Sequence, residues 1–170
     1  MTDSDPLVAQ IADLAQRLSK AELRLATAES CTGGLLAAAM TSVPGASDWY
    51  EGGFVTYRLS AKSRMLDIDP RMLADHGAVS EEVARQMAQQ VLAHSDAQVS
   101  IATTGLAGPA GDGTQTPVGT LWIAWALDGM GQAWVQAEQF ELHSARGPFR
   151  EAAVAHAVVG LLDRLEQVAE

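Results

Sequence analysis

Apolar residues recur every three or four positions over residues 6–19, where Leu7, Ile11, Leu14, Ala15 and Leu18 share one face. With Asp5 as N-cap and Pro6 at the first helical position, this spacing predicts an amphipathic helix. The period then vanishes, and LRLATAE from Leu23 to Glu29 reads as a short buried strand. GGLLAAAMTSV returns to a helical reading that ends before Pro44-Gly45. Glu51 to Tyr57 (EGGFVTY) predicts a second strand. A short helix carrying Lys62, Met65 and Leu66 follows and ends near Asp69-Pro70.

Ser80 opens the run SEEVARQMAQQVLAHS, with Glu81 and Glu82 in its first turn and Val83, Met87 and Val91 on one face, which predicts a capped helix. QVSIATTG reads as a strand leading into the long loop GLAGPAGDGTQTPVG, and GTLWIAWAL reads as the next strand. Asp128-Gly129 breaks that run, so QAWVQAEQFEL returns as an antiparallel partner. A last helix over roughly 147–168 is rich in Ala and Val and is expected to pack on a sheet face. Helices alternating with strands, with one late hairpin, predict an α/β protein: a three-layer α/β/α sandwich on a mixed, mostly parallel sheet. The length of 170 residues suits one domain spanning 1–170.

Composition narrows the function. A formal net charge of −10 argues against a nucleic-acid partner, whose phosphates need clustered Lys and Arg. It does not exclude a small anionic ligand, for which two or three converging donors are enough. Cys31 is the one cysteine, so no intrachain disulfide forms. The start MTDSDPLVAQIADL lacks a basic segment followed by an apolar one, and no stretch approaches a membrane span. The expectation is a cytoplasmic protein with no membrane partner.

Ser30 falls between a buried strand and a Gly-Gly helix start, where unpaired amides favour negative charge. It reads either as an N-cap or as a nucleophile with the amides of Cys31, Thr32, Gly33 and Gly34 around a developing oxyanion. Cys31 reads as a competing nucleophile activated at a helix N-terminus, or as a buried inert thiol. His76, His94, His143 and His156 lack ligand spacing, and no metal is expected. Without a histidine partner, Ser30 needs another base. Lys62, one of only two lysines among eleven basic residues, is the candidate, against the alternative of an exposed helix lysine. The glycine-rich segment 105–113 suits close backbone approach to a phosphate or ribose, or is simply a long turn. Arg146 and Arg150, four apart, suit a phosphomonoester or form ordinary surface ion pairs.

The segments AESCTGGLLAAAMTSVPGAS, GGFVTY with the following AK, GAVS, TTGLAGPAGDG and PVGTLWIA, in that order from about residue 5 to the end, resemble the CinA carboxy-terminal family, which includes the nicotinamide mononucleotide deamidases. The resemblance implies a three-layer α/β/α sandwich that hydrolyses the carboxamide of nicotinamide mononucleotide to nicotinic acid mononucleotide and ammonia. It implies Ser30 as nucleophile, Lys62 as base and Tyr57 as a neighbouring hydroxyl. It also implies Thr104, Gly105, Ala107 and Gly108 as a substrate-contacting loop, and Arg146 and Arg150 as paired arginines. Glu29 then either balances the pyridinium charge or orients Lys62. No metal or organic cofactor is implied, and the partner is a small pyridine mononucleotide.

One departure stands beside the expected site. Where the family usually reads Ser-Asn after the tyrosine, this chain has Arg58-Leu59. Arg58 either lowers the pKa of Lys62 by like-charge repulsion or enters the pocket and changes the substrate. Two alternatives to the deamidase follow: a pyridine-nucleotide binding module without the reaction, and an amidase for another small amide. Many relatives add an amino-terminal domain related to molybdopterin-binding proteins. This chain is expected to be a stand-alone form that associates into a homo-oligomer.

Overall fold

The computed structural model describes residues 6–168, and the Asp5 cap expected above lies outside them. Helix α1 (Pro6–Lys20) buries Ile11, Leu14 and Leu18, the stripe that its periodicity predicts. Glu22 then adopts φ 55°, and the Leu23 amide donates back to the Leu18 carbonyl. This turn delays strand β1 (Leu25–Glu29) by two residues from its expected start. All five residues of β1 are buried because the strand lies inside the sheet, covered on both faces, which also explains its lack of alternation.

Helix α2 is shorter than its pattern suggests, Leu35–Met40. Strand β2 (Tyr50–Val55) and helix α3 (Leu59–Leu66) follow. Pro70 then opens a helix, α4 (Pro70–His76), which the sequence reading missed. Asp69-Pro70 looked like a stop, but Asp-Pro is equally a start. The Asp69 carboxylate accepts from the Arg71 amide at 2.8 Å, and proline at the first position loses no intrahelical bond. Helix α5 (Glu81–Ala93) is capped by Ser80, whose hydroxyl accepts from the Val83 amide at 3.3 Å.

Strands β3 (Val99–Gly105), β4 (Thr120–Gly129) and β5 (Gln132–Glu141) complete a five-stranded sheet of order β2-β1-β3-β4-β5, and α6 (Arg146–Val168) closes the described chain. The sheet is mixed, as expected. β1 pairs in parallel with β2 and β3, whereas β4 is antiparallel to both β3 and β5, so β4 alone runs against the others. The antiparallel part thus begins one pairing before the hairpin, because the loop after β3 doubles back: the Leu106 amide donates to Thr120 O and the Gly119 amide to Leu106 O. Asp128 and Gly129 remain in β4, and the hairpin turns on Met130 and Gly131, both at positive φ (55° and 74°).

Helices cover both faces. Ile11, Leu36, Met40, Val154 and Leu161 from α1, α2 and α6 pack with Ile101, Ile123 and Trp125 on one face. On the other, Val83, Met87 and Val91 of α5, with Leu66 of α3, lie on Ala26, Ala28, Ala102, Ala124 and Ala126. That carpet of alanines lets α5 sit close, near enough for Ser100 Oγ to donate to Ala88 O at 2.7 Å. Among the described residues no helix is long and apolar enough to cross a membrane.

Candidate active site

The parallel strands β1, β2 and β3 end side by side. Ser30 follows β1, and its amide donates to Thr103 O at 2.9 Å, while the Thr56 amide donates to Glu29 O at 2.8 Å. Beyond Ser30 the chain makes a tight turn, with Gly33 at φ 59° and Gly34 at φ 96°, a region that L side chains rarely adopt. Helix α2 therefore begins at Leu35, not within the Gly-Gly pair.

Glu29 explains the turn. Its side chain is fully buried, and its carboxylate accepts from the amides of Gly34 (2.9 Å), Leu36 (3.0 Å) and Ala37 (2.8 Å). The carboxylate thus satisfies the orphan donors of α2 and sits at the positive end of its dipole. This corrects the expectation of Glu29 as a substrate contact or partner of Lys62. The Gly33 amide is engaged too, donating to Ser30 O at 3.2 Å, so neither glycine amide serves an oxyanion. Glu29→Gln keeps the shape but loses the charge and turns an amide donor toward backbone N–H groups. It is expected to cost about 2 kcal/mol or more in urea denaturation. An unchanged midpoint would show the cap to be dispensable.

Lys62 reaches the same place from α3. It is only 1% exposed, and its Nζ donates to Ser30 Oγ and to Thr56 O, each at 2.8 Å. Burial lowers its pKa from the ordinary 10.5 to about 8, with Cys31 pulling weakly the other way. Arg58 is not among the causes, so the like-charge route is not what lowers Lys62. The Cys31 thiol is buried and pushed up to about 12 by desolvation, which removes it as the competing nucleophile. The Lys62 charge and the Cys31 and Thr32 backbone amides do pull the thiol down, as expected near a helix start, but desolvation outweighs them.

Ser30 and Cys31 open onto a cleft of about 750 Å³, within the range of small-molecule sites. Tyr57, Thr104, Gly105, Ala107 and Arg146 line it. Thr104 Oγ1 donates to Ala78 O at 2.6 Å and so fastens the segment 77–79, which forms an opposite wall that the sequence reading did not single out. Its only sequence signal is the GAVS motif. Arg58 and Asp112 also line the cleft.

The two arginines of α6 part company. Arg146 donates from Nη1 to Gly108 O (3.1 Å) and from Nη2 to Tyr57 Oη (2.6 Å), bridging the loop and the exposed tyrosine. Arg150 donates from Nε (3.2 Å) and Nη2 (2.6 Å) to Thr32 O. Thr32 is itself buried, with Oγ1 2.8 Å from Thr103 Oγ1. Arg150 and Thr32 therefore brace the turn from behind, together with Gly33 and Gly34, and do not line the cleft. The expectation of a joint phosphate clamp, and of substrate contacts at Thr32, Gly33 and Gly34, is corrected accordingly. Gly108 meets the cleft only through Arg146.

Comparison with known proteins agrees with this architecture. The CinA C-terminal domain model matches residues 8–165. The chain is 39% identical over 158 residues to the nicotinamide-nucleotide amidohydrolase PncC of Pseudomonas putida, covering 93% of this chain and 96% of that protein. It is 45% identical over 155 residues to a CinA-like protein of Akkermansia muciniphila, but spans 37% of that relative's length. A crystal structure of a competence-damaged protein (CinA) superfamily protein from Escherichia coli superposes with a TM-score of 0.86 at 38% identity, covering 95% of this chain and 92% of that one. The chain belongs to the CinA C-terminal domain family.

Proposed function

We propose that this chain is a cytoplasmic nicotinamide-nucleotide amidohydrolase that releases ammonia from nicotinamide mononucleotide. The observation that carries the reading is the contact of Lys62 Nζ at 2.8 Å with the Oγ of Ser30, a residue that lines the cleft, with the lysine lowered to about 8. Full-length likeness to a nicotinamide-nucleotide amidohydrolase supports the substrate class.

In the neutral form Lys62 keeps one N–H on Thr56 O and turns its lone pair to the Ser30 hydroxyl proton. Ser30 Oγ attacks the carboxamide carbon as Lys62 takes that proton, which gives a tetrahedral oxyanion. Lys62 returns the proton to the departing nitrogen, and ammonia leaves. Water then cleaves the nicotinoyl ester on Ser30 with Lys62 again as base, yielding the carboxylate and restoring the serine. The cationic pyridinium withdraws electrons from the carbonyl throughout.

The required form of Lys62 is the deprotonated one, so activity rises as pH rises through its pKa. Ammonia release from nicotinamide mononucleotide is expected to give a kcat/KM that climbs through an apparent pKa near 8 and levels above it. At pH 6.5 it should stand roughly 30-fold below the plateau, the neutral fraction 1.5 pH units under the pKa. No ammonia at any pH would overturn the function. A profile flat from pH 6 to 9.5 would overturn Lys62 as the base.

A further inference from the structure

The cleft holds a cation that neither the fold nor the proposed dyad employs. Arg58 sits between Tyr57 and the start of α3, exposed and lining the cleft. Arg17, Arg24, Arg85 and Arg164 are each paired with a carboxylate. Arg146 and Arg150 spend their donors on Tyr57, Gly108 and Thr32. The guanidinium groups of Arg58, Arg64 and Arg71 have no hydrogen-bond or ion-pair partner among the described residues, and of these Arg58 is the one that lines the cleft.

The electrostatic setting gives that position a task. The chain carries a formal charge of −10, so its overall field opposes the approach of an anionic substrate. Among the described residues Asp112 is the one carboxylate in the cleft lining, and its Oδ1 already accepts from the Thr114 amide and hydroxyl, which hold its pKa below the usual range and leave it charged. Arg146 lines the cleft as well, but two of its nitrogens are committed to protein oxygens. Arg58 retains a whole planar fork of donors, the geometry that takes two oxygens of a phosphomonoester at once.

We propose that Arg58 is the specificity-determining residue that takes the 5′-phosphate of the mononucleotide and makes the enzyme prefer nucleotide over nucleoside. The inference rests on the amidohydrolase reading for the identity of the substrate. It assigns to Arg58 the anion-binding role that the Arg146 and Arg150 pair does not jointly fill.

The test compares nicotinamide mononucleotide with nicotinamide riboside, which has the same carboxamide but no phosphate. Arg58→Ala is expected to raise KM for the mononucleotide roughly 10- to 100-fold, the worth of one lost charge-assisted contact, with kcat little changed. Both constants for the riboside should stay at their wild-type values. Arg58→Lys keeps a point charge and should recover part of the loss. The inference is overturned if the ratio of kcat/KM for the two substrates is the same in wild type and Arg58→Ala. Wild-type protein that releases ammonia from neither compound would instead overturn the amidohydrolase reading. Calorimetry of the same two compounds then decides about Arg58: selective weakening of the mononucleotide in Arg58→Ala upholds the inference. Equal affinities in variant and wild type, or no binding to either protein, overturn it.

Discussion

Ser30→Ala is expected to leave a folded protein whose ammonia release from nicotinamide mononucleotide falls roughly 10⁴-fold or more, the usual consequence of removing a nucleophile from a dyad. The fold should tolerate the change. Ser30 is held by its amide, which donates to Thr103 O, and the turn after it is held by Glu29 and Arg150, so the hydroxyl carries none of that load. Neighbouring rescue is closed off as well. Cys31 is the next residue, but with its thiol pushed up to about 12 it stays protonated at the pH where Lys62 is neutral. The measurement is a single-turnover ammonia assay beside a thermal melt. Activity within tenfold of wild type in a folded variant would mean that a water activated by Lys62 makes the attack.

Lys62→Met is expected to lower turnover by roughly 10²–10⁴, the range for loss of a general base, and at the same time to change how stability depends on pH. Holding a lysine in the interior at about 8 instead of 10.5 costs the folded state on the order of 3 kcal/mol at neutral pH. The sign follows from proton counts. Below pH 8 both folded and unfolded wild type carry the proton, and the cost is fully present. Between 8 and 10.5 the unfolded chain binds more protons than the folded one, so wild-type stability climbs with pH. Above that window the cost is gone. Methionine titrates nowhere. Urea denaturation at pH 7 and pH 10 should therefore show the wild type gaining on the variant as pH rises, whatever offset the loss of the hydrogen bond to Thr56 O imposes. Parallel dependences would contradict the burial cost assigned to Lys62.

Much of the fold was legible because period and punctuation agree in α1, α5 and the β4–β5 region. The helix α4 was not, since Asp69-Pro70 carries the same residues whether it ends one helix or begins another. At the site, Ser30, Tyr57 and Lys62 were readable through their order in the family motifs, and the structure brings Ser30 and Lys62 into contact across 32 residues of chain. What escaped is tertiary. Glu29 bonds to amides five to eight residues ahead, which spacing does not reveal because the turn at Gly33 and Gly34 must form first. Arg146 and Arg150 share a helix face as their interval predicts, yet one turn of α6 is enough to aim one at Tyr57 and the other behind the turn at Thr32.

Ser30 directly follows β1 and Lys62 stands on α3, the helix that follows the neighbouring parallel strand β2, with Glu29 opposite Val55 in the β1–β2 ladder and the Thr56 amide bonded to Glu29 O. The distance between the proposed nucleophile and base is thus set by sheet register together with the seating of α3, whose Lys62 Nζ also donates to Thr56 O. No lid has to close and no hinge has to swing for the two atoms to meet. The alignment entropy of the proton transfer is met during folding, and the substrate's binding energy remains available for desolvating the carboxamide and fitting the tetrahedral transition state.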